Sequence, residues 1–202
     1  PDDLQELALY ALSQEGFSHE YVPYLLTLVY QALLSPVLLD DNKVSFRLTD
    51  VSVLSRELEF LYPYPRHQPL IDTVSFGKDV TAGKGFIKGF IDMIFRNQEK
   101  VYFCDWKTDI VHDYSSESLL DYFQQHYALQ ANLYLGAICR MLRIYTEAAY
   151  EKQIGTAIYC FVRGMHPEYI NRGVTIFRPS WRALKNFEQE LAHGLHLAGR
   201  HQ

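Results

Sequence analysis

The 202-residue chain contains no stretch of 18 uncharged apolar residues, so no membrane-spanning helix is expected, since one needs about 20. It does not open on the basic-then-apolar pattern of a secretory signal. Positive charge is not in excess either. Lys and Arg number 19 against 24 Asp and Glu, a net charge of −5, which excludes a protein that holds nucleic acid by bulk electrostatics alone. An acidic metal site remains compatible with that balance. Cysteine is scarce. Cys104, Cys139 and Cys160 are odd in number, far apart and mostly in apolar surroundings. That excludes a disulfide scaffold and fits reduced core residues of a cytosolic protein. Repeats and low-complexity tracts are absent. The glycines at 77, 83, 85 and 89 do not form a phosphate loop. Gly77 to Gly83 is one residue too long for G-x-x-x-x-G-K, and Gly85 stands where Ser or Thr is required. This segment should not bind ATP.

What is present is an apolar content of 48%, enough for a real core in one domain, and one unusual stretch. Residues 86–107, FIKGFIDMIFRNQEKVYFCDWK, are two apolar runs around a polar break from Asn97 to Lys100. This reads as a β-hairpin. A turn centred between Gln98 and Glu99 sets Asp92 across from Asp105. Directly opposed side chains have Cβ atoms about 4.5–5.5 Å apart, and like charges there are destabilising. Lys107 lies two residues beyond Asp105 and so shares its face. Two carboxylates beside one lysine fit a hard divalent cation with oxygen ligands. A surface hairpin with both aspartates on a solvated face is the alternative. A slip of one residue would move Asp105 to the other face.

The remaining chain supports an α/β domain. Leu4, Leu7, Ala8, Ala11 and Leu12 predict a helix over 2–15, with Gly16 as its C-terminal cap. Ser18 caps a second helix to Leu34, with Pro23 in its first turn and Val22, Leu25, Leu26, Val29, Tyr30 and Leu33 buried. Residues 54–62 read as a strand, with Glu57 and Glu59 on one face, available to a metal, a basic neighbour or solvent. Residues 63–83 read as a loop with a short strand at 70–76. A long helix is expected from Glu117 to Tyr145, where Gln130 and Tyr134 stack on one face. Strands follow at 154–163 and 173–178. Ser180 then caps a last helix with Leu184, Phe187, Leu191 and Leu195 on one side.

The ordered set G-F-I-D (89–92), D-W-K-T (105–108) and Q-x-x-x-Y (130–134) resembles the PD-(D/E)xK nucleases of the RecB type, the nuclease domains of exodeoxyribonuclease V beta subunits. ELEFLYP (57–63), HYALQANLY (126–134) and IYCFVRG (158–164) extend the resemblance over roughly residues 10–180. It implies a restriction-endonuclease-like mixed central sheet flanked by helices, in a single domain over 1–202 with a helical part at 1–50 and the catalytic sheet and helices at 51–202. It implies Mg²⁺-dependent hydrolysis of DNA phosphodiester bonds in double-strand break repair and recombination, with Mn²⁺ as a substitute ion. Asp92 and Asp105 would be catalytic and hold the metal with the backbone carbonyl of Trp106. Lys107 would orient or activate the water, and Gln130 and Tyr134 would contact substrate. Implied partners are DNA, the gamma and alpha subunits of exodeoxyribonuclease V (RecC and RecD) and the RecA recombinase. ATP would act only in a helicase part outside this chain, in the cytoplasm.

The chain departs from the family at one point. RecB-type nucleases take a metal-ligand histidine from an earlier helix, and none of the eight histidines here matches it. With a first residue of Pro1, the chain reads as a C-terminal fragment of a longer helicase–nuclease, expected to bind metal poorly and cut DNA weakly or not at all by itself. Three rivals stand beside this reading. A Cas4-like nuclease would need four cysteines for its cluster. The others are an inactive nuclease-like module that docks or guides DNA, and a structural domain with an accidental D-x-K.

Overall fold

The computed structural model describes residues 2–39, 45–63, 80–83 and 85–193. The chain forms two compact units, one of residues 1–51, 106–119 and 160–174, the other of residues 52–105, 120–159 and 175–202. Among the described residues, no helix is long and apolar enough to cross a membrane.

The first unit opens with α1 (Asp2–Gln14), a 3-10 turn at His19–Tyr21 and α2 (Val22–Leu34). Gly16, at φ +72°, supplies the left-handed residue that ends α1. The Ser18 side chain accepts from the Glu20 N–H, so it caps the 3-10 turn rather than α2 itself. Ala8, Leu12 and Val22 form the buried seam, with Leu9, Leu25 and Leu26 packed on it. Tyr30 (39%), expected in the buried stripe of α2, is exposed, and so is Leu7 (63%) of the periodic set in α1. Two helices packed on each other cover one narrow seam apiece, and apolar residues on other faces stay outside it.

Later in this unit, Asn171 holds the backbone of Leu38 at both ends. Its side chain accepts from Leu38 N–H and donates to Leu38 C=O, each at 2.8 Å. Asp113 accepts from the backbone N–H and hydroxyl of Ser115 and from the Ser118 hydroxyl, at the entry to α3 (Ser116–His126). These bonds lower its pKa from 3.8 to about 2. The carboxylate therefore stabilises the fold at pH values above 3.8, and the contribution is lost as pH falls toward 2. Asp113→Ala should unfold at a lower temperature than the parent at neutral pH. The gap should close when both are melted at pH 2; an equal gap at both pH values would exclude this role.

The second unit carries β1 (Ser52–Pro63), β2 (Val80–Gly83), β3 (Phe86–Asn97) and β4 (Lys100–Lys107), then α4 (Ala128–Met141), α5 (Glu147–Gln153), β5 (Ile154–Phe161), β6 (Val174–Phe177) and α6 (Trp181–Ala192). Strands β4 and β5 run on into the first unit, and β6 begins there. Sheet order is β1-β3-β4-β5-β6, with β2 also on β3. β1 lies antiparallel along β3, while β2 and β4 pair with different ends of β3, at 86–89 and 93–97. The fold class is α/β, as the sequence implied. The short strand expected at 70–76 lies outside the described residues.

The long helix expected over 117–145 is two helices, α3 and α4, broken at Tyr127 (φ −127°, ψ −11°). No Gly or Pro marks the break. Backbone bonds even bridge it, from Tyr127 N–H to Phe123 C=O (2.8 Å) and from Ala131 N–H to Tyr127 C=O (2.9 Å). The Tyr127 ring packs against Tyr159 with centroids 5.6 Å apart, a tertiary contact that periodicity does not carry. The helix stops at Met141 because Arg143 turns to φ +56°. Thr146 then caps α5, accepting from Ala149 N–H. At seven residues, α5 is too short to declare itself by period.

Helix α6 buries Leu184, Phe187 and Leu191, and Glu188 ties it to β1 and α4. Glu188 Oε1 accepts from the Tyr62 hydroxyl (2.8 Å) and Arg140 Nε (3.3 Å), while Oε2 pairs with Lys185. Burial raises the pKa of Glu188, but the Lys185 and Tyr62 hydrogen bonds and the Lys185 and Arg140 charges bring it below its ordinary value.

Candidate functional site

The hairpin sets the geometry. β3 and β4 pair from Asn97↔Lys100 to Met93↔Cys104, the register of a turn centred between Gln98 and Glu99. Gln98 takes φ +53° to close that turn. Asp92 and Asp105 are the next residues along the same register, immediately past the last pair. Asp105 has no solvent exposure, and Asp92 is half-buried. Burying a carboxylate is costly unless other groups compensate it, so a fully buried Asp105 is not the solvated strand face of the alternative reading.

Asp105 follows Phe103 by two residues, so the two share a face of β4. Phe103 packs against Tyr134 of α4 (5.5 Å) and Tyr159 of β5 (6.1 Å). Tyr134 also packs against Phe60 of β1 (5.2 Å). Gln130 is buried beside them. Its Nε2 donates to the Tyr134 hydroxyl at 2.9 Å, and its Oε1 accepts from the Tyr159 hydroxyl at 3.1 Å. Burial raises the Tyr159 pKa well above 10, and the charges of Asp105 and Asp92 add to the rise. Both carboxylates therefore lie within electrostatic reach of that hydroxyl. Tyr159 stands out only in three dimensions, because in sequence it is one more aromatic in an apolar strand.

β1 adds a residue at the same level. Between the pairs Arg56↔Met93 and Leu58↔Ile91, Glu57 sits at φ +48°, a conformation uncommon for a residue other than glycine. The ladders on both sides of β3, carried one step past their recorded pairs, set Glu57 of β1 and Asp105 of β4 level with Asp92. Glu59 is engaged elsewhere, in a 3.1 Å ion pair with Lys88. Trp106 and Lys107 end β4 and belong to the first unit. The Lys107 side chain is buried at 6% exposure, and its carbonyl accepts from Val162 N–H at 3.0 Å.

Among the described residues, no three His, Cys, Asp or Glu side chains are grouped so as to hold a metal ion. The donors available at this level are oxygens, the set that Mg²⁺ prefers, and Mg²⁺ commonly keeps several waters beside one or two carboxylates.

Comparison with known proteins gives this geometry a context. No family model matches the chain. Over 185 residues it is 29% identical to the RecBCD enzyme subunit RecB of Escherichia coli K12, across 82% of this chain and 15% of that protein. It is 28% identical over 129 residues to RecB of Borreliella burgdorferi, across 59% of this chain and 11% of that protein. For RecB of Haemophilus influenzae Rd the identity is 33% over 103 residues, 48% of this chain and 8% of that protein. The chain is similar to one part of RecB, and it spans less than a sixth of each relative's length.

Proposed function

We propose that this RecB-related chain is a nuclease domain that hydrolyses DNA phosphodiester bonds with Mg²⁺, or Mn²⁺ in its place. This reading is supported by the hairpin register, which, carried one step past its last pair at Met93↔Cys104, sets Asp92 opposite Asp105, and by the full burial of Asp105. Asp92, Asp105 and the carbonyl of Trp106 would hold the ion. When bound, the ion would lower the pKa of a water and offset charge on the phosphoryl oxygens. Lys107, two residues past Asp105, would orient the attacking water or offset charge on the phosphate. Gln130 and Tyr134, expected to contact substrate, are at most 1% exposed, so they would act from behind the site, as a bonded pair packed against Phe103 of β4.

The homology extends the proposal to context. The domain would serve an exodeoxyribonuclease V (RecBCD) complex in double-strand break repair and recombination, with RecC and RecD as partner subunits and RecA as the recombinase loaded onto single strands. ATP would drive the helicase part, outside this chain. The test is DNA cleavage by the full-length protein carrying Lys107→Ala. Losing the group that orients the water should slow cleavage by about 10²–10⁴-fold and leave ATP-driven unwinding unchanged. Wild-type cleavage would remove the assignment of Lys107. The lack of a three-ligand cluster among the described residues favours a second reading, a nuclease-like module that docks or guides DNA without cutting it. Cleavage by the intact parent that disappears with chelator would exclude that reading.

A further inference from the structure

The bonded chain beneath the aspartates begins at Tyr159, a residue to which the proposed reaction gives no role. Gln130, Tyr134 and Tyr159 are each at most 1% exposed, in a layer otherwise lined by Phe60, Phe103 and Phe123. A buried primary amide has two donor hydrogens and one acceptor oxygen to satisfy, and a phenol has one hydrogen to give. Tyr159 gives its hydrogen to Gln130 Oε1 at 3.1 Å, and Gln130 Nε2 reaches the Tyr134 hydroxyl at 2.9 Å. The Tyr159 ring cannot adapt freely. Phe123 (4.9 Å), Tyr127 (5.6 Å) and Phe103 (6.1 Å) hold it.

A layer built for stability alone would be served equally well by Phe and Leu at these three positions, because a polar network must first repay its desolvation. This network adjoins the face that carries Asp105. We propose that Tyr159 is a positioning residue: anchored in β5, it holds the Gln130 amide in one orientation, and Gln130 in turn holds Tyr134 against Phe103, which shares its face of β4 with Asp105. The inference rests on the nuclease reading above.

The test uses the full-length protein with Tyr159→Phe, Gln130→Met and the two combined. Tyr159→Phe keeps the ring and its packing but leaves the amide oxygen without this donor. Its kcat for DNA cleavage should fall about 10- to 100-fold, the usual effect of losing an orienting partner, with KM for DNA unchanged. The double variant removes both ends of the bond, so its unfolding midpoint should return toward wild type while kcat stays as low as in the worse single variant. Wild-type cleavage by Tyr159→Phe, or recovery of cleavage along with the midpoint in the double variant, would overturn the proposal and leave a structural role. Asp105→Ala run in parallel separates the two levels. If it cuts normally, the nuclease reading falls and this inference with it. If it is dead while Tyr159→Phe is normal, only the inference falls.

Discussion

Asp105→Asn is expected to lower DNA cleavage by the full-length protein about a thousandfold, the loss that follows when several kcal/mol of transition-state stabilisation are removed. The fold should survive it. Asparagine matches aspartate in shape, and the site is a fully buried position in β4 beside Phe103 and the rings it packs on. An unfolding midpoint within about 2–4 °C of the parent, equivalent to 1 kcal/mol at this chain length, would confirm that the loss is chemical. Two measurements are needed together, single-turnover cleavage and thermal unfolding. Wild-type cleavage with an unchanged midpoint would mean that Asp105 is a structural carboxylate. Asp92→Asn should show the same loss, since the register, carried one step past Met93↔Cys104, sets Asp92 opposite Asp105.

A large stability effect is expected at Gly155, early in β5. A Cβ built there falls well inside contact distance of three ring atoms of Tyr102. The ring has no easy way to retreat. Tyr102 is 6% exposed and stacks on Phe95 at 5.5 Å and 11°, and Phe95 is itself fully buried. Gly155→Ala should therefore cost about 1–3 kcal/mol from overpacking, seen as a fall in the unfolding midpoint. Pairing it with Tyr102→Leu, which removes the ring the methyl meets, should recover part of that loss. If Gly155→Ala melts like the parent, the close approach of β4 and β5 at this point is not what requires glycine.

The hairpin was legible in the sequence. The polar break at 97–100 between two apolar runs is a local signal, and turn length fixes register in a hairpin. The observed ladder, from Asn97↔Lys100 to Met93↔Cys104, has the expected register. Helix caps at Ser180 and Gly16 were legible for the same reason, because a cap acts within four residues.

Other features were not local. Leu7 and Tyr30 satisfy a helical stripe in sequence, yet which stripe is covered depends on how two helices meet. The break at Tyr127 carries no Gly or Pro, and the ring of Tyr127 packs against Tyr159, 32 residues away. Glu57 and Glu59 were equivalent in sequence. The structure separates them, pairing Glu59 with Lys88 and leaving Glu57 in a left-handed conformation level with Asp92.

Sequence by itself thus determined the α/β class, the hairpin and its register, because each depends on spacing along the chain. Tertiary structure alone decided that Asp105 is buried, that Gln130 is held between two tyrosines, and that Tyr159 belongs with them. Those facts depend on which distant side chains share one layer, and packing between β4, β5 and α4 settles that only after the chain has folded.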